Sequence, residues 1–398
     1  MTSTTSRLWT PQFILIVFVT FLFFLCLQML TAGFPVFVTG LMSNPAEGGL
    51  MTTVFMLAAI LTRPVVGILM HKMNIKRILV ITLFFVAGVI LLSYGQTSLS
   101  TLVVIRILHG IGFGLVSTLL ATLATTLIPH ERLGEGIGYF GMATSLGTTL
   151  GPSLALSLVH SFSFNVTILV TAAIVALGFV MSLLIKKTEP LYKKGQKMER
   201  KGSIFQYAFD KKALLPCFLV FLFYLTFSGI VNFINGLGEE VHLGGKVSIF
   251  FLLNALVTVI IRPFSGKIYD RKGHKYLIYP ACVAGIFGLI IMAFTQNLVT
   301  LIVAAVIYGI AYGIMQPTFQ AWAVSQVTPD KKGTANAMAF SFMDLGMAMG
   351  AISLGGVAGQ FDYRSMYGMS SLLIIILLII YSVVQARSRK SRKTQAVA

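Results

Sequence analysis

The chain has 398 residues, 56% of them hydrophobic and 11% charged, with a formal net charge of +18. A water-soluble domain carries about a quarter charged residues, so this composition excludes a soluble globular protein and points to the membrane. The three cysteines, Cys26, Cys217 and Cys282, fall in apolar runs without metal-ligand spacing. They read as small buried hydrophobes, not as a disulfide framework or a metal centre.

A membrane span needs about 20 mainly apolar residues. Twelve runs qualify: 13–37, 49–70, 77–95, 99–127, 134–158, 164–185, 213–236, 246–268, 275–295, 299–325, 334–358 and 365–386. Lipid leaves no partner for an open sheet edge, so these spans are helices. The first run has no small-residue cleavage site and is followed by further spans, so it reads as a span and not as a secretory signal. The order divides the chain into a six-span half at 1–186, a basic linker at 187–212, a second six-span half at 213–386 and a basic tail at 387–398. Both a solvated tether and a short surface helix around Gly202–Phe209 fit the linker; the tail is expected to be disordered.

Charge sets the orientation. With both termini cytoplasmic, 25 Lys and Arg residues fall inside and only Lys246 and Arg364 outside, while Arg63, Arg106 and Arg262 lie within spans. That is the positive-inside bias of a multi-pass protein of the cell membrane, with its basic face on the anionic inner leaflet. The charge is scattered over short loops, not gathered on one domain, which argues against nucleic-acid binding.

The halves are copies. Arg63-Pro64 and Gly67 recur 199 residues later as Arg262-Pro263 and Gly266, and the same offset pairs Gly110, Gly114, Gly134, Gly147 and Gly151 with Gly309, Gly313, Gly333, Gly346 and Gly350. One offset spanning about half the chain is the signature of an internal duplication. Each copy of the arginine motif closes an apolar run and opens a basic turn. In the second copy Gly266 permits close helix approach, Gly273 suits a left-handed helix stop, and Asp270 is placed to pair with a neighbouring cation. Arg271, Lys272 and Lys275 sit beside the negative end of the helix.

This Gly266-x-x-x-Asp270-Arg271-x-Gly273-x-Lys275 pattern resembles the signature loop of the major facilitator superfamily. The first copy, with Gly67, Lys72 and Lys76, departs from it: His71 stands at the acidic position and Asn74 at the glycine. The resemblance covers the whole chain. It implies an all-α integral membrane fold, twelve transmembrane helices in two pseudo-symmetric six-helix bundles. Span 4 carries Arg106-x-x-x-Gly110-x-Gly112, similar to another element of the family, which implies that Arg106 serves proton transfer or the central cavity. An intramembrane arginine anchored on backbone carbonyls is the alternative, and His109, three residues on, is a proton-relay candidate. Span 5 has Gly138, Gly147 and Gly151-Pro152, similar to the antiporter motif of exporters, but Ala155 and Leu156 replace a later glycine pair.

Asp344 is the acidic residue deep within a span. The family's pseudo-twofold sets span 2 against span 11 and span 5 against span 8. That arrangement lets Arg63 and Asp344 pair across the halves, either as a proton-sensitive latch or as a static brace. Arg262 faces Ser145 at the related position and is expected to bond span-5 carbonyls. The resemblance also puts spans 1 and 7 around the cavity, with Gln28, Phe24, Tyr224, Phe227, Asn232 and Asn235 as lining candidates.

No phosphate-binding loop is present and nothing resembles an enzyme. The expectation is a secondary transporter most similar to the drug/proton antiporter (multidrug efflux) branch. It would use the proton gradient and no cofactor, rocking its halves around a midplane site. Its partners are a small-molecule substrate, protons and membrane lipid, and the resemblance implies a monomer. A dedicated exporter of one chelator-like or lipid-like metabolite, and proton-coupled uptake, are the alternatives. A broad substrate range counts against the first, and accumulation inside cells favours the second.

Overall fold

The computed structural model describes residues 7–43, 45–186 and 208–397. These form α1 (Pro11–Met42), α2 (Pro45–Lys72), α3 (Ile75–Leu92), α4 (Leu99–Leu127), α5 (Leu133–Ser161), α6 (Phe164–Leu183), α7 (Leu214–Glu240), α8 (Ile249–Lys272), α9 (Lys275–Ala293), α10 (Leu298–Ser325), α11 (Lys332–Gln360) and α12 (Tyr363–Val397), joined by short turns. Among the described residues, twelve helices are long and apolar enough to cross a membrane. All three cysteines are free and buried.

Local chemistry sets the helix ends. Asn74, the residue at the first loop's glycine position, caps α3 by accepting the Lys76 backbone N–H at 3.0 Å. Asn297 and Thr300 form a capping box at the start of α10. Gly273, at φ 77°, ends α8, and its N–H bonds the Tyr269 carbonyl at 2.8 Å. The basic tail differs from expectation. Residues 387–397 continue α12, because this stretch contains no Gly or Pro to stop a helix. Of the linker, 187–207 lie outside the described residues, and with them most of the Gly202–Phe209 segment. Asp210 caps the turn Lys211–Ala213 and accepts a 3.0 Å bond from Lys331 Nζ.

The duplication is visible in the packing. In the first half α1 packs on α5, α2 on α4, and α3 on α4 and α6; in the second α7 packs on α11, α8 on α10, and α9 on α10 and α12. Related glycines make related contacts. Gly147 and Gly151 meet the α1 backbone at Leu25, and Gly346 and Gly350 meet the α7 backbone at Leu225. Lipid is as apolar as leucine, so such close backbone approaches, and not hydrophobic burial alone, hold the helices together. The halves meet along α2–α11 and α5–α8, the two seams that the family pseudo-twofold implies.

Candidate functional site

A cavity of about 170 Å³ lies between the halves. Its walls include Phe24, Gln28 and Phe113 from the first half and Tyr224, Phe227 and Tyr312 from the second. Phe227 stacks on Tyr312 with ring centroids 4.5 Å apart, and the Tyr224 and Tyr312 hydroxyls approach to 3.4 Å. Among the described residues three charged side chains, Arg63, Arg262 and Asp344, line this space, together with aromatic rings, methionines and neutral polar groups such as Gln28, Thr144 and Ser145.

Arg63 and Asp344 pair across the α2–α11 seam. Arg63 Nε donates to Asp344 Oδ2 at 2.7 Å, and Nη1 donates to the Ser117 and Thr118 hydroxyls of α4 at 3.0 and 3.3 Å. Phe113 and Phe340 lie over the guanidinium, each ring centroid 5.0 Å away. Arg63 is thereby almost fully buried at 2% exposure, while Asp344 keeps 16% open to the cavity. A buried ion pair is held by its own geometry and hydrogen bonds, and removing one member costs about 3–5 kcal/mol.

Arg262 is placed differently from expectation. Its Nη2 donates to Gln316 Oε1 on α10 at 2.8 Å, not to α5 carbonyls. The reason is steric: its guanidinium lies against Gly141 of α5, where a Cβ would collide with Nη1, and Gln316 closes the other side. Gln316 begins a run of neutral amides. Its Nε2 donates to Gln320 Oε1 at 3.2 Å, Gln320 Nε2 donates to Asn336 Oδ1 at 3.0 Å, and Asn336 Nδ2 donates to Thr125 Oγ1 of the first half at 3.0 Å. Lys332 Nζ adds a 2.7 Å bond to the Thr125 carbonyl. These polar residues were not among the sequence candidates. Their signal was present, since Gln316 and Gln320 stand one turn apart inside an apolar span.

The basic turn of the second half closes the same end of the bundle. Among the described residues Asp270 forms no ion pair. Its Oδ1 accepts the Gly134 N–H at 2.6 Å and its Oδ2 the Glu135 N–H at 2.9 Å. It thus caps the positive end of α5 from the opposite half. The approach is possible because Gly266 and Gly134 face each other; a Cβ on Gly266 would lie 2.6 Å from Glu135 Cα. Glu135 is itself paired with Arg132 at 2.7 Å. Arg271 and Lys272 are exposed, and Lys275 is half-buried. In the first-half turn Lys76 Nζ bonds the Leu183 carbonyl at the end of α6 at 2.8 Å; the surroundings of Gly67 and the side chains of His71 and Lys72 lie outside what is described. Gly138 abuts the Arg262 carbonyl, Gly147 and Gly151 abut α1, and Pro152 lies within α5.

Arg106 and His109 sit apart from the central cavity, because their face of α4 turns toward α1 and α2. Arg106 Nε donates to the Met51 carbonyl at 3.1 Å, between the rings of Phe34 and Phe55. With His109 it lines a small separate cavity within the first half. Of the α7 candidates, Tyr224 and Phe227 line the central cavity but Asn232 and Asn235 do not. Asn232 is rotated away and bonds the Ser228 carbonyl at 2.9 Å. Asn235 is exposed, eight residues or about 12 Å beyond Phe227 along the helix.

Among the described residues, twelve apolar helices in two related halves surround a cavity that both halves line, the architecture of a multi-pass membrane transporter. The profile of the Major Facilitator Superfamily matches residues 16–351 and, in a second match, 296–398. The chain belongs to the major facilitator superfamily. Among curated relatives it is similar to an uncharacterized MFS-type transporter of Methanocaldococcus jannaschii, 23% identical over 84% of this chain and 88% of that one. It is also similar to the multidrug resistance protein MdtG of Enterobacter lignolyticus, 24% identical over 85% of this chain and 82% of that one. Among solved structures, the human organic anion transporter MFSD10 (TETRAN) shares the fold with a TM-score of 0.80 at 17% identity, covering 93% of this chain and 99% of that one. The Escherichia coli fucose:proton symporter FucP does so with a TM-score of 0.76 at 16% identity, covering 94% of this chain and 98% of that one.

Proposed function

We propose that the chain is a proton-coupled exporter of small amphipathic compounds, working by alternating access as a monomer in the cell membrane with both termini cytoplasmic. The observation that carries this reading is the ion pair between Arg63 and Asp344, 2.7 Å long and spanning the two halves. Among the described residues Asp344 is the one carboxylate on the cavity wall, and it bonds a residue of the other half. Protonation removes the charge that Arg63 binds, so the pair weakens and the α2–α11 seam is free to part. Arg63 keeps Ser117 and Thr118 as acceptors within its own half. The aromatic rings and methionines on the cavity wall suit an apolar body, and the hydroxyls and amides beside them suit a polar end. The name of the MdtG relatives, multidrug resistance protein, is in keeping with export of such compounds.

The test is transport in proteoliposomes under an imposed pH gradient, comparing wild type with Asp344→Asn. Gradient-driven substrate movement that the variant loses, with the variant folded and still binding substrate, is the expected result. Coupling that survives in Asp344→Asn would reduce the pair to a static brace and sink the reading.

A further inference from the structure

The duplication repeats a buried arginine but not its counter-ion. Arg63 has Asp344. Arg262, the residue 199 positions on and 1% exposed, shares the cavity wall with Ser145, which stands at the position related to Asp344. Among the described residues its Nη2 bonds Gln316, while its Nε and Nη1 have no hydrogen-bond partner. An arginine withdrawn from water with two donors unused is costly unless something supplies the acceptor. Gln316 is neutral, and its orientation is fixed from behind by Gln320, so it cannot neutralise the charge. With Arg63 and Asp344 cancelling, the cavity wall carries one net positive charge, on Arg262, beside the Tyr312 ring 5.8 Å away.

We propose that the cavity takes amphipathic organic anions, the carboxylate or sulfonate of the substrate completing at Arg262 the ion pair that Asp344 completes at Arg63. The anionic group enters on the Ser145 side, where the duplicated carboxylate is missing. The Tyr224 and Tyr312 hydroxyls offer further donors, and the apolar body lies against Phe24 and Phe227. The inference rests on the transport reading above only in taking this cavity as the substrate site. It makes the pseudo-twofold a selectivity device: at one seam the protein supplies the arginine's carboxylate, and at the other it leaves the place for the cargo.

The test is binding to the purified full-length protein in lipid nanodiscs, by calorimetry and without any gradient. The probes are naphthalene-2-sulfonate, 2-naphthol and a naphthyltrimethylammonium salt, which share a ring system and differ in charge. The anion is expected to bind at least tenfold tighter than the neutral probe, and the cation weakest. Ser145→Asp restores the missing carboxylate and is expected to lower anion affinity at least tenfold while moving the neutral probe less than threefold. Arg262→Gln, which removes the charge from the other side, is expected to do the same, and it serves if Ser145→Asp fails to fold. A cation or neutral probe that binds as well as the anion, no binding by any probe, or anion affinity unchanged in the folded variants would overturn the proposal. Because no gradient is used, such a failure leaves proton-driven export standing. Conversely, coupling that persists in Asp344→Asn alongside intact anion selectivity would sink the export reading and not this one.

Discussion

Asp270 offers the most direct measure of what holds the halves together. Replacing it with alanine removes the carboxylate that accepts two hydrogen bonds from the Gly134 and Glu135 N–H groups in the first turn of α5, at 2.6 and 2.9 Å. A hydrogen bond to a charged group contributes about 1.5–3 kcal/mol net. Asp270 is only half-buried, so the lower figure applies, giving about 3 kcal/mol for the two bonds. These bonds exist only while α5 and α8 touch at this end. Their loss therefore shifts the closed–open equilibrium, not the fold of either half, and about 3 kcal/mol is roughly a hundredfold. A population that is about 99:1 closed becomes about even. The assay is the distance between spin labels on cysteines introduced at His130 and Thr328, exposed residues in the corresponding turns of the two halves. The native cysteines are buried and do not compete for label. Asp270→Ala is expected to add a longer-distance population, and Asp270→Asn, which keeps one acceptor oxygen, a smaller one. A distance distribution identical to wild type in both variants would show that Asp270 merely finishes a helix and does not latch the halves.

Two further perturbations follow from the same region. Gly266→Ala puts a methyl into the backbone of Gly134 and Glu135, which cannot move aside as a flexible side chain would; overpacking of this kind costs about 1–3 kcal/mol, and the same label pair is expected to report separation. His274 stacks on Trp322 with centroids 4.1 Å apart and shares a 2.9 Å hydrogen bond with Tyr381, joining the α8–α9 turn to α10 and α12. Burial first, and Lys275 second, push its pKa down to about 4. The unfolded chain takes up this proton near the ordinary value of about 6.5 and the folded chain does not, so its contribution to stability is constant above that value. It falls as pH drops from about 6.5 towards 4. Thermal unfolding in detergent from pH 7.5 to 4.5 is expected to show this loss, and His274→Gln to flatten it; equal slopes in both proteins would exclude the assignment.

The architecture was legible because its signals are one-dimensional. Apolar length marks spans, and a fixed offset marks duplication. The Arg63–Asp344 pair was legible for a related reason: a lone carboxylate within a span needs a cation, and the pseudo-twofold of the fold left one candidate. The partner of Asp270 was not, because it is a pair of backbone N–H groups, which every residue but proline carries. Asn232 was misplaced because composition says which helix is polar but not how the helix is turned; it lies five residues, or about 140° of rotation, from Phe227. The amides Gln316, Gln320 and Asn336 carried a signal that charge-based reading passes over. Uncharged polar groups in a span matter for the same reason as charges, since lipid satisfies neither.

The Asn336–Thr125 contact is built so that parting it leaves neither of these two side chains without a partner. Asn336 Nδ2 donates to the Lys332 carbonyl at 3.1 Å as well as to Thr125, and the Thr125 hydroxyl has the Thr122 carbonyl at 3.1 Å. Each group therefore carries a spare partner on its own helix. A hydrogen bond whose members both have such a fallback discriminates strongly against misalignment while the seam is shut, yet levies little desolvation when it opens. This is the property of a fastening that can be undone and remade cheaply, and it distinguishes this contact from the close backbone crossings at glycines within each half.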